Sequence, residues 1–127
     1  MADPETTRRA VEGFFAAVGH ADRDSFLALF DPAVHFEDPL GTPVLSGPEG
    51  MARFHKGTGR AWASLTMTPR EVHVRGSQAA AAWDAVGESQ SGRTIRFDGI
   101  DTFEVADDGR ITRVAGYWDF EGVIAQL

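Results

Sequence analysis

Two aspartates stand where strand alternation expects apolar side chains. In an extended segment residues i, i+2 and i+4 share a face, and the row Val34, Phe36, Asp38 ends an apolar face on a carboxylate. The longer segment Arg93 to Val105 presents Ile95, Phe97, Gly99, Asp101, Phe103 and Val105 on one face, again interrupted by an aspartate. Its other face, Thr94, Arg96, Asp98, Ile100, Thr102 and Glu104, is polar apart from Ile100. An ionised carboxylate on an apolar face must be paired, hydrogen-bonded or neutralised. Asp38 can meet that demand by capping the turn Pro39-Leu40-Gly41, and Asp101 by bonding to the backbone or to an arginine. If both face one apolar cavity instead, two carboxyl groups in unlike surroundings divide into a base and a neutral hydrogen-bond donor.

The elements that must position them follow from the remaining pattern. Asp3-Pro4-Glu5 starts a helix, with a capping carboxylate and a proline that supplies helical φ in the first turn. Val11, Phe14, Phe15 and Val18 line one face of that helix. Gly19 and His20-Ala21-Asp22 break it. Phe26, Leu27, Leu29 and Phe30 repeat the spacing until Asp31-Pro32 closes the second helix. Gly47-Pro48-Glu49 opens a third through Met51, Phe54 and His55, ended by Gly57. Ala33 to Asp38, Leu65 to Val74, Ala79 to Glu88, Arg93 to Val105 and Ile111 to Phe120 read as strands separated by turn-type residues. Pro69 marks an edge or a bulge. The expectation is one α+β domain over residues 1–127, with three N-terminal helices covering a curved antiparallel sheet.

Composition excludes several functions. The chain has 127 residues, a formal charge of −7 and no cysteine, which removes thiolate chemistry and disulfides. The acidic balance disfavours nucleic acid and anionic membranes as partners, and no apolar run reaches the roughly 20 residues of a bilayer span. The N-terminus lacks a signal-type apolar core, so a cytoplasmic protein is expected. The four histidines, at 20, 35, 55 and 73, show no metal-ligand spacing. His35 and His73 lie on polar strand faces. His55, beside Phe54, either caps and packs its helix or serves a site. Trp118 shares a face with Val114, Gly116 and Phe120, as core or as cavity wall.

At Glu37-Asp38-Pro39-Leu40-Gly41, followed by Ser46-Gly47 and a short helix, the chain resembles the delta-5-3-ketosteroid isomerase branch of the nuclear-transport-factor-2-like, SnoaL-like superfamily. Ile100-Asp101-Thr102-Phe103, Asp107-Asp108-Gly109-Arg110-Ile111 and Tyr117-Trp118 continue the resemblance in order. It implies a cone-shaped α+β barrel around a deep apolar pocket, a homodimer formed through the sheet, an apolar steroid-like or polyketide-like ligand, and no cofactor. Carried over, Asp38 is the general base that moves a proton through a dienolate, and Asp101 is the protonated donor to the dienolate oxygen. Phe14, Phe30, Phe54, His55, Phe97, Phe103 and Trp118 are then the substrate-binding set. One departure stands out: the position of the family's tyrosine donor on the first helix is Phe14. Its supporting tyrosines are replaced by Phe30 and His55, and Tyr117 is the chain's only tyrosine. Such a donor is worth about 10²–10³ in turnover. Two alternatives therefore stand beside the isomerase: a SnoaL-like cyclase or epoxide hydrolase, for which Arg96-x-Asp98 is the available acid–arginine fragment, and a non-catalytic binder.

Overall fold

A computed structural model describes residues 1–127. Asp3 accepts a hydrogen bond from the Thr6 amide at 2.8 Å and Pro4 begins α1 (Pro4–Ala17), as the capping pattern requires. Then come α2 (Arg23–Leu27), β1 (Phe30–Glu37), a two-residue β2 (Leu45–Ser46) and α3 (Gly47–Ala61). Four strands follow, β3 (Trp62–Arg75), β4 (Gln78–Ser89), β5 (Thr94–Val105) and β6 (Ile111–Tyr117), before a short α4 (Phe120–Ile124). The sheet order is β2-β1-β6-β5-β4-β3, and the sheet is curved but not closed. No helix is long and apolar enough to cross a membrane.

The α+β class expected from the sequence is the one observed, with differences in detail. The sheet is mixed, because β1 runs parallel to β6 while every other pair is antiparallel. The second helix stops at Leu27, not at Asp31-Pro32, and β1 begins at Phe30. Pro32 is accommodated because the β1–β6 register slips between Phe30 and His35, so its missing N–H breaks no ladder bond there. The third helix runs through Gly57 and Gly59 to Ala61. Each glycine weakens a helix by about 1 kcal/mol, but Phe54 packs on Phe26 at 5.8 Å and on Phe36 at 4.6 Å, and that contact keeps α3 seated. Pro69 lies on edge strand β3, beside a register shift between Pro69 and Glu71, as expected. The last strand ends at Tyr117 rather than Phe120, and the chain turns into α4.

The core is largely phenylalanine. Phe14 meets Phe15 at 5.4 Å, Phe103 at 5.3 Å and Phe30 at 6.3 Å, all edge to face, and all four side chains are buried. Each such ring contributes about 1.5–3 kcal/mol by leaving water. This cluster clamps α1 against the sheet, through Phe30 of β1 and Phe103 of β5.

Candidate active site

The parity that singles out Asp101 holds in the fold. Asp101 lies on the inner face of β5, between Ala81 on β4 and Gly116 on β6 in the strand register. Both neighbours are small, which leaves room for a carboxyl group, and Asp101 has no exposed surface. Trp83, two residues along β4 from Ala81, is its diagonal neighbour. Its indole N–H donates to Asp101 Oδ1 at 3.0 Å. Gly99, directly opposite Trp83, lets the indole lie flat, since a Cβ there would come within 2.6 Å of the ring. Asp101 Oδ2 is buried without a hydrogen-bond partner.

Asp38 arrives from the other side. It follows the last residue of β1, and the Leu40 amide donates to the Gly116 carbonyl at 2.7 Å, which ties the turn to β6. The Asp38–Pro39 peptide is cis. Trp118, just past the end of β6, donates its indole N–H to Asp38 Oδ1 at 2.7 Å. The Oδ1 atoms of both aspartates lie within 3.0 Å of the point a Cβ on Gly116 would occupy, and that Cβ would collide with Asp38 Oδ1. The absence of a side chain at Gly116 thus permits the two carboxyl groups to approach one another.

Their electrostatics follow from this crowding. Burial pushes the Asp38 carboxyl up to about 6, against the Trp118 N–H, which favours the anion. Burial pushes Asp101 well above the ordinary carboxylate range, the neighbouring charge of Asp38 pushes it further, and the Trp83 N–H opposes both. The pair therefore holds a proton near neutral pH, on the deeper Asp101, while Asp38 titrates in the range useful to a general base.

Asp38 lines a cavity of about 310 Å³ whose other walls are almost wholly apolar. Phe54, Phe97 and Trp118 belong to those walls. Phe14, Phe30 and Phe103 do not; they are buried in the aromatic cluster beneath. His55 lines a neighbouring hollow, where its Nε2 bonds to the Ala21 carbonyl at 2.9 Å. Arg96 and Asp98 are exposed on the face of β5 opposite Asp101, so the acid–arginine fragment does not reach the cavity. Val18, Leu65, Trp62, Met67 and Trp83 also line the walls, and Phe120, Val123, Ile124 and Leu127 close one side with the C-terminal helix. Trp83 stands alone as a bulky side chain in the inward row Ala79, Ala81, Trp83, Ala85, which is the signal that marks it. No group of three or more His, Asp or Glu side chains is gathered for a metal ion.

A model of the SnoaL-like domain matches residues 11–114 of the chain. Among solved structures, the chain is similar to RV0760c of Mycobacterium tuberculosis, determined in complex with estradiol-17beta-hemisuccinate. The identity is 26%, over 91% of this chain and 95% of that one, with a TM-score of 0.81. SalBIII, an epoxide hydrolase/cyclase-like enzyme in pyran ring formation in the polyether salinomycin, is 21% identical over 95% and 96% of the chains, with a TM-score of 0.84. An LEH-like epoxide hydrolase of M. tuberculosis is 23% identical over 97% and 92%, with a TM-score of 0.79. The last two likenesses establish the cone-shaped, nuclear-transport-factor-2-like fold.

Proposed function

The chain belongs to the SnoaL-like domain family, and on that premise we propose that it is an acid–base enzyme of the cyclase type, acting on an apolar, oxygen-bearing small molecule. One observation carries this: a single carboxyl group, Asp38, with a pKa lifted to about 6, faces an otherwise apolar cavity beside a second carboxyl that retains its proton. In the cycle Asp38 removes a proton from a substrate hydroxyl or from a carbon next to a carbonyl. The oxygen or carbon so activated attacks an electrophilic carbon of the same molecule and closes a ring. The protonated Asp38 then returns the proton to the oxygen or carbon that has gained the electron pair. Atoms balance without a co-reactant. Trp118 steadies the Asp38 anion before proton removal, and Asp101 holds its own proton behind it. Water attack, which an epoxide hydrolase needs, has less support, because Arg96 and Asp98 point away from the cavity.

The test uses an apolar ζ-hydroxy enone, whose hydroxyl adds to the enone β-carbon to give a tetrahydropyran ketone, followed by loss of enone absorbance. General acid–base catalysis contributes about 10²–10⁴-fold, so Asp38→Asn is expected to lose at least about 100-fold in kcat while substrate affinity is kept. Unchanged turnover in Asp38→Asn refutes the assignment, and wild-type affinity without turnover identifies a binder.

A second reading, steroid isomerisation through a dienolate, is favoured by the paired aspartates and by the likeness to a structure holding a steroid ester. It shares Asp38 as base and differs in needing a strong oxyanion donor. A homodimer through the outer sheet face is proposed on the exposed cross-strand pair Ile100 and Tyr117, with Val86 exposed further along the same face. Ile100→Lys is expected to shift the sedimentation coefficient from dimer to monomer; a wild-type monomer refutes it.

A further inference from the structure

Phe97 stands on the inner face of β5, four residues before Asp101, with Gly99 between them. Its ring is the one aromatic side chain in contact with both indoles that serve the carboxyl groups. Trp83, from β4, meets it edge to face at 5.7 Å, and Trp118, from beyond β6, meets it tilted at 5.4 Å. Trp62 stacks on it at 5.6 Å, 13° from parallel, and lies against Gly87 of β4, where a Cβ would collide with the indole. Phe97 is therefore held in place by a ring that bonds to neither carboxyl.

The two indoles need such a support. A hydrogen bond weakens steeply as its angle closes from linear, and each indole has one N–H to place: Trp83 Nε1 on Asp101 Oδ1 at 3.0 Å, and Trp118 Nε1 on Asp38 Oδ1 at 2.7 Å. Gly99 leaves the space that both use, since a Cβ there would come within 2.6 Å of Trp83 and 2.9 Å of Trp118. A glycine gives room but sets no orientation. Trp83 makes no other aromatic contact, and Trp118 has only Phe120 besides, at 5.6 Å.

We infer that Phe97 is a positioning residue for the acid–base pair: its ring holds the Trp83 and Trp118 indoles in the orientation from which their N–H groups reach Asp101 and Asp38, so the strength of the base depends on a side chain with no polar atom. The inference rests on the proposed function in taking Asp38 as that base. Both N–H groups favour the carboxylate over the acid. With them loosened, burial is less opposed and Asp38 keeps its proton to higher pH. No other ionisable side chain offsets this. Asp101 is the neighbour on β5, and the remaining cavity walls are uncharged. Glu37, before Asp38, accepts from the Gly41 amide at 2.9 Å, and Asp119, after Trp118, is exposed and caps α4.

Nuclear magnetic resonance on the whole chain tests it. The three tryptophans give three indole N–H signals, assigned through Trp62→Phe and Trp118→Phe with Trp83 as the remainder. Labelled aspartate carboxyl carbons are titrated, and the Asp38 signal is the one lost in Asp38→Asn. Phe97→Leu removes the ring and keeps an apolar wall; Phe97→Met, whose side chain adapts to irregular space, does the same should the leucine variant not fold. In both, the Trp83 and Trp118 signals are expected to move upfield and to exchange faster with water. Asp38 is expected to titrate about half to one pH unit higher, since two or three N–H bonds bring a carboxyl below about 2. The ratio of kcat/KM at pH 8 to that at pH 6 then widens about two- to fivefold. A ring that only packs against substrate would change kcat/KM by one factor at both pH values. Indole signals and an Asp38 titration that stay as in wild type overturn the positioning role and leave the Asp38 chemistry standing. Signals and titration that move as expected, in a protein whose wild type shows no turnover, support the role and overturn the cyclase.

Discussion

Replacing Asp38 by asparagine is expected to stabilise the protein while removing its activity, and the stabilisation should depend on pH in a defined way. Folding raises the Asp38 carboxyl from its ordinary 3.8 to about 6, because burial disfavours the anion more than the Trp118 N–H favours it. The folded protein thus holds this proton where the unfolded chain has released it. Below pH 3.8 both states are protonated and no penalty exists; it grows as pH rises through 3.8 to 6 and is complete above. At 1.36 kcal/mol per pH unit the rise corresponds to about 3 kcal/mol at pH 8. The charge on Asp38 also raises Asp101, so its removal relieves a second strain of the same sign. Asparagine keeps an oxygen for the Trp118 indole and carries no charge. Urea denaturation followed by circular dichroism at pH 4, 5, 6, 7 and 8 gives the midpoint and slope for both proteins. The variant's advantage should widen by about 2.5 kcal/mol from pH 4 to pH 8 with the slope unchanged. A difference that stays constant with pH, or that turns against the variant at high pH, refutes the assignment of Asp38 as a carboxylate confined at a cost.

Other outcomes follow from the same geometry. Trp118→Phe removes the N–H that favours the Asp38 anion, so the acidic limb of the pH–rate profile should move to higher pH; an unmoved limb places the indole bond outside catalysis. Gly116→Ala drives a methyl group into Asp38 Oδ1 and is expected to lower stability by about 1–3 kcal/mol and to cut kcat more than it raises KM; a variant of wild-type stability and rate would mean the carboxyl groups do not crowd this backbone. Phe14→Tyr restores a phenol at the helix position, but Phe14 is enclosed by Phe15, Phe30, Phe36 and Phe103. A loss of about 1–3 kcal/mol for the unbonded hydroxyl, with no gain in ketosteroid isomerisation, is expected; a gain of 100-fold would favour the isomerase over the cyclase.

The parts of the site visible in the sequence are those that one strand carries alone. Asp101 could be found because β5 is long and its alternation is unbroken around it. Asp38 could be found because it is the next position on the Val34 and Phe36 face, one residue past the end of β1. What joins them is a property of three strands at once: Gly116 matters through the register that sets it beside Asp101 and through the turn that brings Asp38 over it, and no spacing along the chain encodes either. The C-terminal helix is five residues long, too short for a helical period to show, and Phe120 continued the apolar row of β6 well enough to read as strand. Gly57 has the local propensity of a helix stop, whereas the Phe54 contacts that keep α3 seated come from α2 and β1. Phe14, Phe30 and Phe103 were apolar residues on the expected faces, but periodicity separates inside from outside and does not separate cavity wall from core.

The cavity also contains its own reporter. The chain has three tryptophans, and all three, Trp62, Trp83 and Trp118, line the space around Asp38. Two of them donate their indole N–H groups to the paired carboxyls of Asp101 and Asp38. Protonation of either carboxyl, or arrival of an aromatic ligand, changes the surroundings of every strong emitter in the molecule. Intrinsic fluorescence, with excitation selective for indole, therefore reads the ionisation state and occupancy of this site directly, with no label to attach and no tryptophan elsewhere to dilute the signal.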